Sequence, residues 1–353
     1  MKNVLVDFSH LADFCGFGEI ARNYAPLLAQ MHPSDMHLIF IVPDHLIGTF
    51  GSDIDYIRRH HIRKDLRKLG MHIDLWHATD QQYHLRGGDR HTIQLLTVHD
   101  LNFLREKSGV HRWRHIVQLW LRMHRSYHLT CISQYVKDDI LAHYHIRPQS
   151  IDVIYNGIAN HESEKQLRPS FVSAEDEQFF FTIGQIREKK NFQTLVPMMR
   201  HFPNHKLYIC GDDHFAFAQQ LRQQIDNEGE GRVFLTGKIK DEEKHWLYEH
   251  AQAFLFPSRL EGFGIPVLEA MRFRCKVFSS RYSSLPEVCG PHATYWNDYS
   301  PKTMAATVKD ALVTWRKDSQ EADDAKDYSE TFNYQHYTEQ YITLYRQLLT
   351  KGL

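Results

Sequence analysis

The sequence predicts an α/β protein made of two Rossmann-like, doubly wound domains. A strand, a loop, a helix and a second strand follow one another from Val4, and this order is typical of a parallel sheet. The same order begins again at Phe179, after the polar, proline-containing residues 161–178, which we interpret as a linker. A length of 353 residues is enough for two domains that each bury a core. We therefore expect domains over residues 1–160 and 177–333.

Composition favours a protein of the cytoplasm. A charged fraction of 24% is ordinary for a globular protein, and a net charge of -1 argues against nucleic acid as a partner. The five cysteines are scattered without a Cys-x-x-Cys pair, so we expect reduced thiols: Cys15, Cys131, Cys210, Cys275 and Cys289. We find neither the apolar core of a signal peptide nor an apolar run of membrane-spanning length.

The first strand, over residues 4–8, is followed by a glycine-containing loop and a helix over residues 19–31. The segment Gly16-Phe-Gly18-Glu-Ile-Ala21 matches a dinucleotide fingerprint, which makes a nicotinamide-dependent oxidoreductase one alternative. That fingerprint requires glycines directly after the strand, whereas a long loop intervenes here. The other interpretation is a turn that leads into a helix.

A basic segment follows the second strand, which covers residues 37–42. Residues 57–69 predict an amphipathic helix that lies either in solvent or on an anionic membrane surface. Its cations are Arg58, Arg59, Arg63, Lys64, Arg67 and Lys68. The preceding Asp53 and Asp55 are interpreted as a helix start and not as a metal site.

The next strands are predicted over residues 73–78 and 92–98, and the second of them ends at His99. A histidine in that position faces the crevice where open α/β sheets bind ligands. Residues 111–128 predict a helix in which Trp113, Trp120 and Tyr127 are buried, with a lipid-linked acceptor as the alternative partner of these aromatics. No histidine pair stands beside a glutamate in a hydrolytic zinc motif, so no metal is predicted.

The second domain repeats the pattern from Phe179. Gly184 ends its first strand and begins a loop with Arg187 and Lys190, which can neutralise a diphosphate or remain solvated. The apolar strand over residues 253–256 precedes a helix that opens near Gly264. Its first amides can bind an anion, and Glu261 and Glu269 bracket that position, with Glu269 about 7 Å along the helix axis. These amides belong to Phe263, Gly264 and Ile265.

Residues 261–271, Glu-Gly-Phe-Gly-Ile-Pro-Val-Leu-Glu-Ala-Met, resemble the signature of the retaining glycosyltransferases of family 4. Residues 284–288, Ser-Leu-Pro-Glu-Val, resemble another segment of that family. The resemblance implies the GT-B fold, in which two Rossmann-like domains face a central cleft. The first domain would bind the acceptor, and a closing helix over residues 334–353 would cross back to it. The second domain would bind the nucleotide sugar.

The resemblance also implies roles for individual residues. Glu269 would bind the ribose hydroxyls, Glu261 the sugar hydroxyls, and His99 the transferred sugar. Lys190, Arg187 and the helix start at Gly264 would stabilise the diphosphate. The nucleotide base would lie at Lys238 and Ile239, and Gly16 and Gly18 would lie near the diphosphate and the acceptor. Gln185 departs from the pattern, because the family has an arginine there.

This resemblance implies transfer of a hexose with retention of configuration, without metal or cofactor. Residues 98–104 are similar to mannosyltransferases, which makes GDP-mannose the expected donor and a glycan or lipid-linked glycan the acceptor. We expect an enzyme of surface polysaccharide synthesis in the cytoplasm, with peripheral contact to an anionic membrane. The alternatives are a GT-B protein that binds nucleotide sugar without transfer, and the oxidoreductase.

Overall fold

A computed structural model of the protein describes residues 1–13, 16–82, 88–147, 150–160, 164–174 and 177–351. The chain divides into two compact units. The first contains Met1–Ala159 and Phe332–Leu353, and the second contains Asn160–Thr331. Residues 161–163 and 175–176 of the predicted linker lie outside the described residues, as do Cys15 and residues 352–353.

The first unit is built on a parallel sheet. Its strands are β1 (Lys2–Asp7), β2 (Met36–Val42), β3 (Asp55–Arg58), β4 (Leu75–Ala78), β5 (Ile93–Val98), β6 (His128–Cys131) and β7 (Ile151–Val153). Among the described residues their order is β3-β2-β1-β4-β5-β6-β7. The order changes direction between β1 and β4, and doubly wound sheets bind ligands outside the carboxyl ends of the strands at such a point.

Helices connect these strands, as parallel pairing requires. They are α1 (Gly16–Met31), α2 (Ile62–Leu69), α3 (Phe103–Glu106), α4 (Gly109–Arg125) and α5 (Gln134–His143). The strands read as apolar runs because helices cover parallel sheets on both faces. In β2, for example, all residues except His37 are buried.

The second unit repeats this architecture. Its strands are β8 (Phe179–Ile183), β9 (Lys206–Cys210), β10 (Val233–Gly237), β11 (Ala253–Phe256), β12 (Val277–Ser279) and β13 (Thr294–Tyr295). Its helices are α6 (Leu195–Met198), α7 (Ala216–Glu228), α8 (Asp241–His250), α9 (Ile265–Arg272), α10 (Leu285–Cys289), α11 (Pro301–Thr314) and α12 (Gln320–Glu330). The described strand order is β10-β9-β8-β11-β12-β13, so the change of direction falls between β8 and β11.

The last helix, α13 (Tyr334–Lys351), belongs to the first unit and packs in its core. The Tyr345 hydroxyl lies 2.7 Å from the Tyr24 hydroxyl on α1 and 2.6 Å from Nδ1 of His77 on β4. The other nitrogen of His77, Nε2, lies 2.8 Å from the Thr97 hydroxyl. Burial lowers the pKa of His77 to about 3, so the imidazole is neutral. A satisfied polar network therefore fixes α13 against the sheet.

The predicted helix over residues 57–69 is wrong in its first third. Residues 55–58 form β3, and α2 begins only at residue 62. Asp55 therefore starts a strand and not a helix, and its carboxylate lies 2.8 Å from Nε2 of His37 on β2. Arg58 makes a two-point ion pair with Asp65 at 2.7 and 2.8 Å. The basic surface is thus smaller than the sequence suggested.

The predicted burial of the aromatics over residues 111–128 is also wrong. Trp113, Trp120 and Tyr127 are 66%, 43% and 51% exposed, while Leu119 and Met123 are the buried residues of α4. Within the described part of the chain, no helix is long and apolar enough to cross a membrane. The described cysteines are free and buried: Cys131, Cys210, Cys275 and Cys289.

Candidate active site

The loop between β11 and α9 requires a glycine at its end. Gly264 has a φ of 113°, which is a left-handed conformation, and a Cβ there would lie 2.7 Å from the Leu285 side chain. Pro266 occupies the first turn of α9, where its missing N–H leaves no bond unmade. The helix therefore starts abruptly, with the loop backbone leading directly into its first amides.

The serine pair before α10 holds this loop. The Ser284 hydroxyl donates to the carbonyl oxygens of Phe263 at 2.9 Å and Glu261 at 3.2 Å. The amide of Glu261 donates to the Ser283 hydroxyl at 3.0 Å. The segment that resembles family 4 at residues 284–288 thus has a structural role, because it fixes the backbone on both sides of residue 262.

Lys190 and Glu261 meet although they are 71 positions apart. Nζ of Lys190 lies 2.5 Å from Oε1 of Glu261, and both side chains are close to nine-tenths buried. Lys190 lies across Gly184, where a Cβ would approach its Cε to 3.2 Å, and its Nζ is 5.0 Å from the ring centroid of Phe256. The glycine after β8 thus leaves room for the lysine, and the ion pair positions its ammonium group.

Glu269 is buried on α9 and already has protein partners. Its Oε1 accepts from Nζ of Lys244 at 2.8 Å, and its Oε2 accepts from the Tyr248 hydroxyl at 2.9 Å. An ionised carboxylate only accepts hydrogen bonds, so the chemistry of Glu269 fits the hydroxyls of a ligand. Lys244 and Tyr248 were not predicted. Their spacing of four on one face of α8 is the signal that could have indicated them.

The other residues of the second unit that we predicted to bind the nucleotide sugar follow strands β8 and β10. The Gln185 carbonyl accepts from the amide of Arg187 at 2.8 Å, and the Arg187 guanidinium stacks 4.5 Å from the ring centroid of Phe215. Lys238, after β10, is two-thirds exposed and lies 3.2 Å from a carboxylate oxygen of Asp212. Ile239 is partly buried.

In the first unit, His99 follows β5 and is buried. Its Nε2 lies 2.8 Å from the Thr79 carbonyl oxygen, which can only accept, so Nε2 carries the proton. Its amide donates to the Gln81 side chain at 2.8 Å. Burial lowers the pKa of His99, which favours the neutral ring. His99 therefore has Nδ1 left as an acceptor.

A second histidine beside His99 was missed by the sequence analysis. His10 follows β1, and its ring nitrogens lie 2.7 Å from Asp13 and 3.2 Å from the buried Asp80. Hydrogen bonding to Asp80 raises the pKa of His10 to about 9, so His10 is a cation at neutral pH. The ring of Phe17 lies 5.5 Å from that of His10 and 4.7 Å from that of His99. Polar residues directly after β1 and β4 are the signal that could have indicated this cluster.

The two glycines of the dinucleotide-like segment lie within α1. A Cβ at Gly18 would lie 1.9 Å from the Asp13 carbonyl oxygen, whereas one at Gly16 would meet no atom within 4 Å. Gly18 is therefore needed for close packing of α1 on the preceding loop. Neither glycine forms the tight turn directly after a strand that a dinucleotide site requires. Among the described residues, no group of three or more metal-ligating side chains lies together.

Comparison with known proteins gives the same fold. A structure of sucrose-phosphate synthase from Thermosynechococcus elongatus has a TM-score of 0.75 at 17% identity, over 99% of this chain and 100% of that chain. HepE from Anabaena, solved in complex with UDP and glucose, has a TM-score of 0.73 at 16% identity, over 98% of this chain and 99% of that chain. These structures and the two parallel-sheet units define the GT-B fold class.

Two family models match in sequence. Glycosyl transferases group 1 matches residues 163–330, and glycosyltransferase family 4 matches residues 20–161. The O-antigen chain mannosyltransferase RfbU of Salmonella typhimurium is 28% identical over 227 residues, which are 62% of this chain and 62% of RfbU. Both matched families are glycosyltransferases, each over less than half of this chain, and the chain has the GT-B fold.

Proposed function

We propose that the protein transfers mannose from GDP-mannose to a glycan or lipid-linked glycan acceptor, with retention of anomeric configuration. The observation that carries this proposal is the buried Lys190–Glu261 pair, together with Glu269 on α9. The similarity to RfbU supports mannose as the sugar and surface polysaccharide as the product.

The geometry of the second unit supports a separate binding residue for each part of the nucleotide sugar. Glu269 would accept hydroxyls of the ribose through its carboxylate, which Lys244 and Tyr248 hold in place. Lys190 and the first amides of α9 would stabilise the negative charge that develops on the departing diphosphate. Glu261 would orient the sugar through its hydroxyls while it keeps Lys190 in place. In a front-face displacement, the new bond to the acceptor oxygen forms as the sugar–phosphate bond breaks, and the leaving phosphate takes the acceptor's proton.

The first unit offers a sugar site at the carboxyl ends of β1, β4 and β5. The rings of neutral His99 and cationic His10 both lie beside the Phe17 ring, so acceptors, donors and an apolar surface occur together. Sugars present alternating hydroxyl and C–H surfaces, which match such a combination. We propose that His99 contacts the transferred sugar there, and that its acceptor nitrogen receives a sugar hydroxyl.

The donor assignment predicts a defined effect of Glu269→Ala. Losing its charge-assisted hydrogen bonds, worth roughly 1.5–3 kcal/mol, should weaken binding of GDP-mannose and of free GDP alike by about ten- to a hundredfold. Isothermal titration calorimetry measures this, with Tyr248→Phe as the matched control because it removes one contact and keeps the carboxylate. UDP- and dTDP-sugars should bind at least about tenfold more weakly than GDP-mannose. Unchanged GDP affinity in Glu269→Ala would remove Glu269 from the site.

A transfer assay tests the reaction itself. We expect mannose in the product with the same anomeric configuration as in the donor, which NMR of the purified product determines. Nucleotide-sugar binding without any transfer would instead favour the non-catalytic GT-B protein, the alternative that Gln185 suggests.

Metal independence is a separate prediction. Because Lys190 and the α9 amides supply the positive charge at the diphosphate, transfer should continue in excess EDTA at about the rate seen without it. Initial rates measured with EDTA, and again after adding Mn²⁺ or Mg²⁺, check this. Loss of transfer in EDTA that either metal restores would contradict the proposed role of Lys190.

A further inference from the structure

The loops after β11 and β12 carry exposed arginine and tyrosine side chains that no part of the proposed donor site uses. We call this surface the arginine–tyrosine patch, and it consists of Arg259, Arg281 and Tyr282. Tyr282 is 47% exposed, and its ring stacks on that of Tyr299 with the centroids 5.9 Å apart and the planes at 19°. The Arg281 guanidinium lies 4.7 Å from the ring centroid of Tyr295, and its Nε donates to Oδ1 of Asn297 at 2.8 Å. The patch is therefore exposed, while neighbouring side chains hold it in place.

Hydrogen bonds join this patch to the loops that carry the buried ion pair. The amide of Arg259 donates to the carbonyl oxygen of Lys189 at 2.8 Å, directly before Lys190 in the chain. The amide of Glu261 donates at 3.0 Å to the hydroxyl of Ser283, which directly follows the patch. The patch therefore adjoins the place where we expect the sugar–phosphate bond to break.

The strand order gives the patch a position relative to the nucleotide sugar. The described order is β10-β9-β8-β11-β12-β13, and neighbouring strands lie about 4.8 Å apart. The expected position of the nucleotide base follows β10, the ion pair follows β8 and β11, and the patch extends to the loop after β12. A nucleotide sugar that lies along these strand ends directs its sugar away from β10 and towards the patch. The acceptor must reach that end of the donor.

The charge of the patch is positive. Within the described part of the chain, neither Arg259 nor Arg281 takes part in an ion pair, and both are exposed. The neighbouring Asp298 accepts instead from the amide and the hydroxyl of Ser300, at 3.2 and 2.5 Å. Burial raises the pKa of Tyr299 to about 12, and the charge of Arg259 opposes this rise, so the guanidinium lies near the stacked tyrosines. Two cations thus accompany one exposed aromatic ring.

We propose that the arginine–tyrosine patch is a subsite for the acceptor. Tyr282 binds the face of a sugar ring, and Arg259 and Arg281 bind an anionic group next to that sugar, either a phosphate or a carboxylate. A tyrosine ring offers a flat apolar surface, which fits the C–H face of a sugar. Guanidinium groups bind the oxygens of phosphates and carboxylates through paired N–H donors. This inference rests on the proposed function and adds that the acceptor is negatively charged.

The test is a ligand-observed NMR titration of the full chain in excess GDP, which occupies the donor position. The probes are mannose 1-(propyl phosphate), propyl glucuronide and the neutral propyl mannoside. We expect at least one charged probe to bind at millimolar concentration, and at least about tenfold more tightly than the neutral probe. Binding of the phosphodiester alone would identify a phosphate linkage in the acceptor, and binding of the glucuronide alone would identify an acidic sugar.

Variants separate the two parts of the subsite. Arg259→Gln with Arg281→Gln should abolish the preference for the charged probe. Tyr282→Ala should weaken binding of all probes by about three- to tenfold, whereas Tyr282→Phe, which keeps the ring, should bind as the parent does. The matched control is Arg200→Gln with Arg316→Gln, an equal loss of charge at two exposed arginines of the second unit, and it should leave probe binding unchanged.

Calorimetric GDP binding should be the same in the parent and in every patch variant, which shows that the second unit is folded. Loss of GDP binding in the arginine double variant would overturn the proposal, because the arginines would then belong to the donor diphosphate site. Equal affinity of the parent for charged and neutral probes would overturn it too, as would parent-like affinity of the arginine variant for the charged probe. The parent's own GDP titration tests the proposed function separately, so the failures of the two proposals give different results.

Discussion

Replacing Lys190 with methionine will lower kcat by about a hundred- to a thousandfold, the range seen when one stabilising donor is removed from a transition-state anion site. Its ammonium group is held against Glu261, in the loop that precedes α9, and we propose that the leaving diphosphate lies there. Steady-state transfer assays with saturating donor measure this effect. Removal of Lys190 also leaves Glu261 buried without its cation, so thermal unfolding must be recorded for the same samples.

The neighbouring lysine provides the control. Lys189→Met makes the same chemical change one position away, and we expect it to stay within about threefold of the parent, well under 1 kcal/mol of lost transition-state stabilisation. If Lys189→Met lost as much activity as Lys190→Met, position-specific stabilisation of the diphosphate would be contradicted. A folded Lys190→Met enzyme with more than a tenth of the parent kcat would contradict it too.

Ending the chain after Thr331 will unfold the first unit and leave the second folded. Helix α13 places nine buried residues in or beside the core of the first unit, including Tyr341 and Tyr345. Removing even one buried large side chain typically costs about 3–5 kcal/mol, which is a large part of the stability of a domain. Differential scanning calorimetry should show the loss of one transition, and hydrogen exchange should show unprotected amides in β1 and β2.

Complementation tests whether α13 acts through its packing. A synthetic peptide of residues 332–351 added to the shortened chain should restore protection in β1 and β2. The same peptide with Tyr341→Ala and Tyr345→Ala should not, because it lacks the rings that contact Tyr24 and His77. Protection of β1 and β2 without any peptide would show that the first unit folds without α13.

The sequence predicted those features of the fold that depend on the local pattern of residues. Parallel strands such as β2 and β11 are apolar runs that end at proline, and the glycine and proline around residue 265 specify where α9 starts. The fold class follows from the order of such elements. The prediction from local pattern was wrong at residues 57–69. The density of cations there suggested one helix, and the short strand β3 was not predicted.

Contacts between distant residues were not predictable in this way. The spacing on α8 and the polar residues after β1 and β4 mark candidate residues, but they do not show that Lys244 pairs with Glu269 or Asp80 with His10. Each pair forms only when two strand ends or two helices are brought together. The exposure of Trp113 was missed for a related reason. Helical periodicity shows that a face is apolar, but a helix with two apolar faces gives no local sign of which one the domain covers.

The assignment of α13 to the first unit has a consequence for biosynthesis. A ribosome that has completed β7 must translate roughly 200 further residues before it has made all of α13, which at 5–20 residues per second takes about 10 to 40 s. During that interval the nascent first unit lacks the tyrosines that close its core. Before the interval ends, the second unit, which is made from one continuous stretch, has all the strands described for it. The second unit can therefore fold first, and the unit that begins the chain is the one exposed to chaperones and proteases for longest.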